Sequence, residues 1–332
     1  MMTERENALH TIYHDGKAEW IPAGCDCMEM IILTNVLREC PPYLLGMEGS
    51  GYDYWGCWWE FEADIMGGSP LPGRQPCKDI TKWREQVKFP DINAIDWSGA
   101  ELFTSRLDRE NKLSMLFWES GPFERLHALV GFENALIAMH EEPEAFKELM
   151  QAITDFRISL LPLIKEHYNP DIIINLDDFG YQRSAFMSRE LFRELILPYE
   201  KQFGDAIKAN GMIYCHHSCG KIDGLMDEIV EMGPQMILGL FAPYNDQETV
   251  VKKYGDRLVF IGATNAQLVD MPDTTEEQLR AEARRYKKMF APTQSMIFDP
   301  GTMNPVKAGP MNEEFKKIRS QYLMPSRNSR PQ

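Results

Sequence analysis

Asp171-Ile172-Ile173-Ile174-Asn175-Leu176-Asp177 and Met212-Ile213-Tyr214-Cys215-His216-His217-Ser218 are the two stretches that decide the fold. Both are too short for helices, are apolar at the centre and end on a capping or turn residue, so both read as strands. The segment between them starts at Ser188, kinks at Pro198 and stops at Asn210-Gly211, a natural helix C-cap. Strand, helix, strand is the repeating unit of a parallel sheet covered by helices.

The unit recurs outward in both directions. Leu113–Glu119, Gln235–Phe241, Leu258–Thr264 and Ser295–Gly301 are further strand candidates. Asp246 to Tyr254-Gly255 marks both ends of a short helix, and Thr274 with Glu277 reads as a capping box opening Gln278–Phe290. Trp20–Cys27 brings the strands to seven, one short of a closed barrel. The expectation is an α/β fold, a (β/α)8 TIM barrel formed as one domain over residues 1–324, with a doubly wound open sheet as the alternative. Residues 41–97 break the alternation and are rich in Gly, Pro and aromatics; they read as an excursion folding over one mouth of the barrel. The polar tail 325–332 is expected to be disordered.

Composition narrows the function. The chain has 332 residues, 44% of them hydrophobic and 26% charged, enough for a sizeable soluble core. Its formal charge of −15 argues against nucleic acid and anionic membranes, which both need clustered Lys and Arg. No apolar run approaches the ~18 residues of a membrane span. The opening Met1–Glu6 lacks the apolar region of a secretory signal, and seven scattered cysteines do not form a disulfide framework. A reduced cytoplasm is expected.

A parallel barrel gathers its chemistry at the C-terminal ends of its strands. Those ends carry Cys25, Cys27, Glu119, Asp177, Asp178, His217, Cys219, Asn265 and Asp299. Strand alternation puts Cys215, His217 and Cys219 on one face, and His216 and Ser218 on the other. An imidazole and a thiolate on one face suit zinc, although a buried pair without metal has the same signature. Asp177-Asp178 offers a third ligand, a general base or a loop cap. Tyr52, Trp55, Trp58 and Trp59 are packing residues or a surface for a flat substrate. No Gly-x-Gly-x-x-Gly after a strand, no Walker loop and no Gly-x-Ser-x-Gly elbow is present.

Several motifs resemble the uroporphyrinogen decarboxylase superfamily. They are Thr3-x-Arg5-Glu6-Asn7, Gly121-Pro122-Phe123, Val130-Gly131-Phe132-Glu133-Asn134, Glu142-Pro143-Glu144, Ser188–Phe192 with Leu197-Pro198-Tyr199, and His217-Ser218-Cys219-Gly220. The resemblance spans nearly the whole chain and implies a TIM barrel. The superfamily divides into porphyrinogen decarboxylases and zinc methyltransferases that work with corrinoid proteins. The decarboxylases carry an N-terminal Arg motif for substrate carboxylates; the matching Pro22–Cys27 has no Arg. His-x-Cys is the zinc element of the methyltransferase branch.

Thiol-specific members of that branch add a Cys in a C-terminal Pro-Gly-Cys turn, where this chain has Asp299-Pro300-Gly301-Thr302. The third ligand then falls to Asp177, Asp178, Glu119 or a Cys near residue 25. One thiolate fewer makes a stronger Lewis acid, suited to polarising an ether oxygen. The Gly51–Phe61 and Trp83–Trp97 segments are similar to those of O-demethylase components.

The resemblance therefore implies methyl transfer from an O-methyl donor, an aryl methyl ether, to the cobalt of cobalamin on a separate corrinoid protein. His217 and Cys219 are the expected zinc ligands, and Asp177, Asp178 and Glu119 the expected catalytic residues. Tyr52, Trp55, Trp58, Trp59 and Asn265 are expected to bind substrate. The opposite direction, methylcobamide to a thiol or pterin, is the nearest alternative, followed by a decarboxylase and a non-catalytic barrel. A homodimer is compatible with this reading, and neither nucleic acid nor a membrane is an expected partner.

Overall fold

The structure is a computed structural model that describes residues 1–31, 33, 50–62, 67–302 and 304–319. The predicted tail at 325–332 and parts of the 41–97 excursion lie outside the described residues. Strand β1 is Met28–Ile31. β2 (Gly51–Tyr52), β3 (Trp58–Glu62) and β4 (Gly67–Pro70) make a separate antiparallel sheet. The main sheet continues with β5 (Leu113–Trp118), β6 (Ile172–Leu176), β7 (Ile213–Ser218), β8 (Met236–Gly239), β9 (Val259–Ile261) and β10 (Met296–Ile297). All seven main strands are parallel, in the order β1-β5-β6-β7-β8-β9-β10. This is the curled sheet of a TIM-barrel-like fold.

Its two edges meet through the N-terminal segment. Ala23 forms a parallel bridge with Phe298 just beyond β10. Gly24 N–H donates to the Phe298 carbonyl at 2.7 Å, and Phe298 N–H to the Pro22 carbonyl at 2.8 Å. One helical turn, Gly24–Cys27, then leads straight into β1. The predicted strand at Trp20–Cys27 is thus corrected: only Ala23 pairs, and the continuous strand lies one turn later. That strand, Met28-Glu29-Met30-Ile31, has a single β-branched residue and carries almost none of the usual strand signal.

Alternation sorts the side chains into two layers. Ile172 and Ile174 of β6, Ile213 and Cys215 of β7, and Val259 and Ile261 of β9 share one buried cluster inside the sheet. Ala8 and Ile12 from the first helix, Glu4–Ile12, join that cluster and close the N-terminal end. Ile173 and Tyr214 face outward into the larger cluster beneath the helices. Each such side chain contributes about 1.5–3 kcal/mol by leaving water.

Helix ends mostly follow the expected signals. Ser188 caps Arg189–Leu195, and the chain breaks at Ile196 before Leu197–Ala209, with Pro198 in the first turn after the break. Asp246 caps Gln247–Tyr254. The capping box sits one residue later than predicted, at Thr275 with Gln278, opening Glu276–Phe290.

The excursion is anchored to the Pro122–Val130 helix. Asp53 Oδ2 and Arg125 Nη1 form a fully buried ion pair at 2.6 Å. Trp59 Nε1 also donates to Asp53, at 2.8 Å, and Arg125 lies against the Trp55 and Trp59 rings. No helix among the described residues is long and apolar enough to cross a membrane.

Candidate metal centre

The site begins at the end of β7. Cys215 packs inside the sheet, and the alternation brings His217 to the same side two residues later. His216 takes the outer side, where its ring stacks on Phe179 at 5.0 Å. Burial pushes the His216 pKa down to about 3, with neighbouring His217 adding to the effect, so this imidazole is neutral. Ser218, also outward, accepts the Phe179 N–H at 2.9 Å. The strand then turns at Gly220, whose φ is +79°; a Cβ there would stand 2.3 Å from the Gly180 carbonyl carbon. Only glycine lets the two rim loops approach this closely.

Three ligand-type side chains converge behind that turn. Cys219 Sγ is 3.3 Å from His217 Nε2, and Asp178 Oδ1 is 3.7 Å from the same nitrogen. Ligand atoms of Asp178, His217 and Cys219 all lie within 4.8 Å of one another. Asp178 Oδ1 also accepts the Cys219 N–H at 2.6 Å, which fixes the thiol-bearing residue against the carboxylate. On the far side of the ring, His217 Nδ1 faces the Leu238 carbonyl at 3.0 Å. A carbonyl only accepts, so Nδ1 carries the proton and Nε2 presents its lone pair to the cluster.

Burial pushes the Cys219 thiol well above its ordinary range, and Asp178 adds to the effect. A bound cation would reverse this, because a coordinating thiol deprotonates. One imidazole nitrogen, one sulfur and one carboxylate, already gathered and oriented, fit a zinc-type ion with a position left open.

The other predicted residues are placed as follows. Asp177 is fully buried and caps the Pro122–Val130 helix, accepting the Phe123 and Glu124 N–H groups at 2.9 and 2.8 Å. Glu119 is half-buried just past β5, and its carbonyl accepts from Arg157. Asn265 caps Ala266–Asp270 through its side-chain oxygen. Trp55 and Trp59 are only 3% and 5% exposed, spent on packing within the excursion. Tyr52 is 63% exposed and meets the half-buried Trp58 edge-on at 4.9 Å. Cys27 is in the inner core, while Cys25 is exposed beside Asp26. Of the candidate third ligands, Asp178 is the one that joins His217 and Cys219.

A second polar assembly lies behind the barrel wall and has no motif. Arg157 Nη1 donates to the carbonyls of Glu119 and Ser120, and its Nη2 donates to Asn175 Oδ1. Asn175 in turn donates to Glu200 Oε2 at 2.9 Å. The Tyr214 hydroxyl lies 3.5 Å from Glu200 and 3.3 Å from His216 Nδ1. Burial pushes Glu200 up to about 7, and Asp177, also buried and facing Glu200, is raised with it. The available signal was a lone acid in an apolar stripe: Glu200, Phe203 and Ile207 share one helix face.

A parallel α/β barrel with ligand-type side chains collected at its C-terminal rim is the architecture in which barrel enzymes keep their active sites. Residues 102–314, the greater part of the chain, match the uroporphyrinogen decarboxylase (URO-D) family, and the chain belongs to it. A solved methyltransferase from Methanosarcina mazei shares the fold, with a TM-score of 0.63 over 97% of this chain and 99% of that one, at 12% identity. An Old Yellow Enzyme from Pichia sp. AKU4542 is a far slighter match, with a TM-score of 0.39 over 70% of this chain and 69% of that one, also at 12% identity. No curated protein sequence matches the chain.

Proposed function

We propose that this chain is a methyltransferase of the family that holds zinc on Asp178, His217 and Cys219. In this reading it moves a methyl group from an O-methyl donor, an aryl methyl ether, to the cob(I)alamin of a separate corrinoid protein. The observation that carries the reading is the orientation of His217, whose Nδ1 is tied to Leu238 while Nε2 faces Cys219 and Asp178. When bound, zinc supplies a Lewis acid that draws charge from a donor oxygen. The chain's own residues do the rest. Leu238 fixes the imidazole tautomer, Asp178 holds the Cys219 backbone, and Asp177 fixes the start of the Pro122–Val130 helix beside the site.

In this reading Tyr52 and Trp58 supply aromatic surface for a ring, and Asn265 and Glu119, at the strand ends of the rim, supply polar groups for its substituents. Decarboxylation of a polycarboxylate is disfavoured. The Pro22–Cys27 segment has no cation of its own, and Arg319 is spent there on Asp26. The reaction belongs to a reducing cytoplasm, where the Cys219 thiol persists.

Metal analysis tests this directly. Wild type is expected to hold about one zinc per chain, with Cys219→Ser and His217→Ala both losing it. The zinc-loaded protein is then expected to convert cob(I)alamin to methylcobalamin with a methoxyarene, followed by absorbance. A wild type that refuses zinc on refilling overturns the proposal.

A further inference from the structure

The last strand delivers a second carboxyl to the mouth, away from the Asp178, His217 and Cys219 cluster. Ile297 faces the inner core, and Phe298 faces out, stacked on Phe315 at 4.0 Å. By alternation Asp299 turns inward. Its Oδ1 accepts the Gly301 N–H at 2.8 Å, which fixes the carboxyl plane. Oδ2 accepts no hydrogen bond, and no Lys or Arg pairs with Asp299, among the described residues.

The surroundings of this carboxyl are mostly backbone. A Cβ on Gly24 would come 3.2 Å from Asp299 Oδ2, and one on Gly262 would come 3.8 Å from Oδ1 and 3.1 Å from Leu238 Cδ1. Glycine stands on each side where a side chain would otherwise cover the carboxyl. Cys25 on the Gly24–Cys27 turn and Tyr286 behind the strand both feel its charge. The Tyr286 hydroxyl is already committed to the Phe260 and Ile297 carbonyls. Burial raises the Asp299 carboxyl above its ordinary range. β10 lies three strands along the curled sheet from β7, about 14 Å by the ~4.8 Å strand spacing, and alternation puts Asp299 and His217 on the same inner face.

We propose that Asp299 is the specificity-determining residue of this mouth: its Oδ2 accepts a hydrogen bond from a hydroxyl or ammonium group on the small molecule held at Asp178, His217 and Cys219. The inference rests on the reading of that cluster as the substrate site. It follows from a half-buried acceptor at the mouth, held by one backbone N–H and walled by glycine, with no protein donor on Oδ2 among the described residues. Carboxylate-bearing molecules are rejected by the same group.

Calorimetric binding to the zinc-loaded protein, without any corrinoid, tests it. The probes are methoxybenzene and its hydroxyl-, aminomethyl- and carboxylate-substituted forms. Wild type is expected to bind the hydroxyl or aminomethyl form about 10- to 100-fold more tightly than methoxybenzene, and the carboxylate form least. Asp299→Ala removes that preference while zinc content and methoxybenzene affinity stay unchanged. Asp299→Asn separates the two donors, retaining part of the hydroxyl preference but losing that for ammonium.

Equal loss for all four probes, loss of zinc, or a wild type that ignores the substituent overturns the proposal, as does a wild type that binds none of them. If binding follows the expected pattern while no probe methylates cob(I)alamin, the methyl-transfer reading fails and the role of Asp299 stands.

Discussion

Glu200 carries a proton into the folded protein. Its carboxyl sits at about pH 7 because burial outweighs the hydrogen bonds it accepts, and Asp177 faces it. In an unfolded chain a glutamate titrates near 4.3. The folded state therefore binds the proton more tightly, and this stabilisation is full below about pH 4 and lost as pH rises through 7. The contribution is on the order of 3 kcal/mol. Glu200→Gln is expected to melt at a higher temperature than wild type at pH 8, and to narrow the wild-type difference in Tm between pH 5 and 8. An unchanged difference would show that other groups set it.

Sequence alone exposes part of this chemistry. His217 and Cys219 are legible because strand alternation needs no knowledge of the rest of the chain. The choice between Asp177 and Asp178 is not legible. It depends on the Pro122–Val130 helix, whose first N–H groups capture Asp177 and leave its neighbour to the cluster.

At the scale of elements, the excursion depends on one buried pair. Asp53 takes Trp59 Nε1 and Arg125, the latter on the helix that starts at the rim. Asp53→Asn withdraws the negative charge from a buried guanidinium and is expected to cost about 3–5 kcal/mol. Limited proteolysis should then cut within residues 50–97 before the barrel, and simultaneous loss of both would show a single cooperative unit.

Six strands from β5 to β10 were legible because their apolar runs are bounded by Gly, Pro or capping residues. β1 was not, since Met-Glu-Met-Ile pairs by position and not by propensity. The aromatic run 52–61 announced an unusual element, but which rings pack and which stay open depends on Asp53 and Arg125, far apart in sequence. The capping box slipped by one residue because Thr274 and Thr275 stand side by side with acceptors three positions on from each.

For the whole molecule, closure of the sheet rests on a short seam. Backbone bonds at Pro22, Gly24 and Phe298 are reinforced by Arg319, which binds Asp26 at 2.8 Å and also holds Glu4. Arg319→Ala is expected to cost about 1–2 kcal/mol. It should speed hydrogen exchange at the Gly24 and Phe298 amides while leaving Ile174 protected; uniform acceleration would mean the seam does not open alone.

The opposite end of the barrel has its own consequence. Ala8 and Ile12 fill the floor, and the interior above them is solid with Ile, Met and Cys side chains. A packed barrel of this kind offers no through-passage. Among the described residues, Cys219 is therefore approached from the C-terminal rim and not through the floor. Under the proposed methyl transfer, a small donor and a protein partner would share that mouth, so the order of their visits would be set by architecture before any chemistry begins.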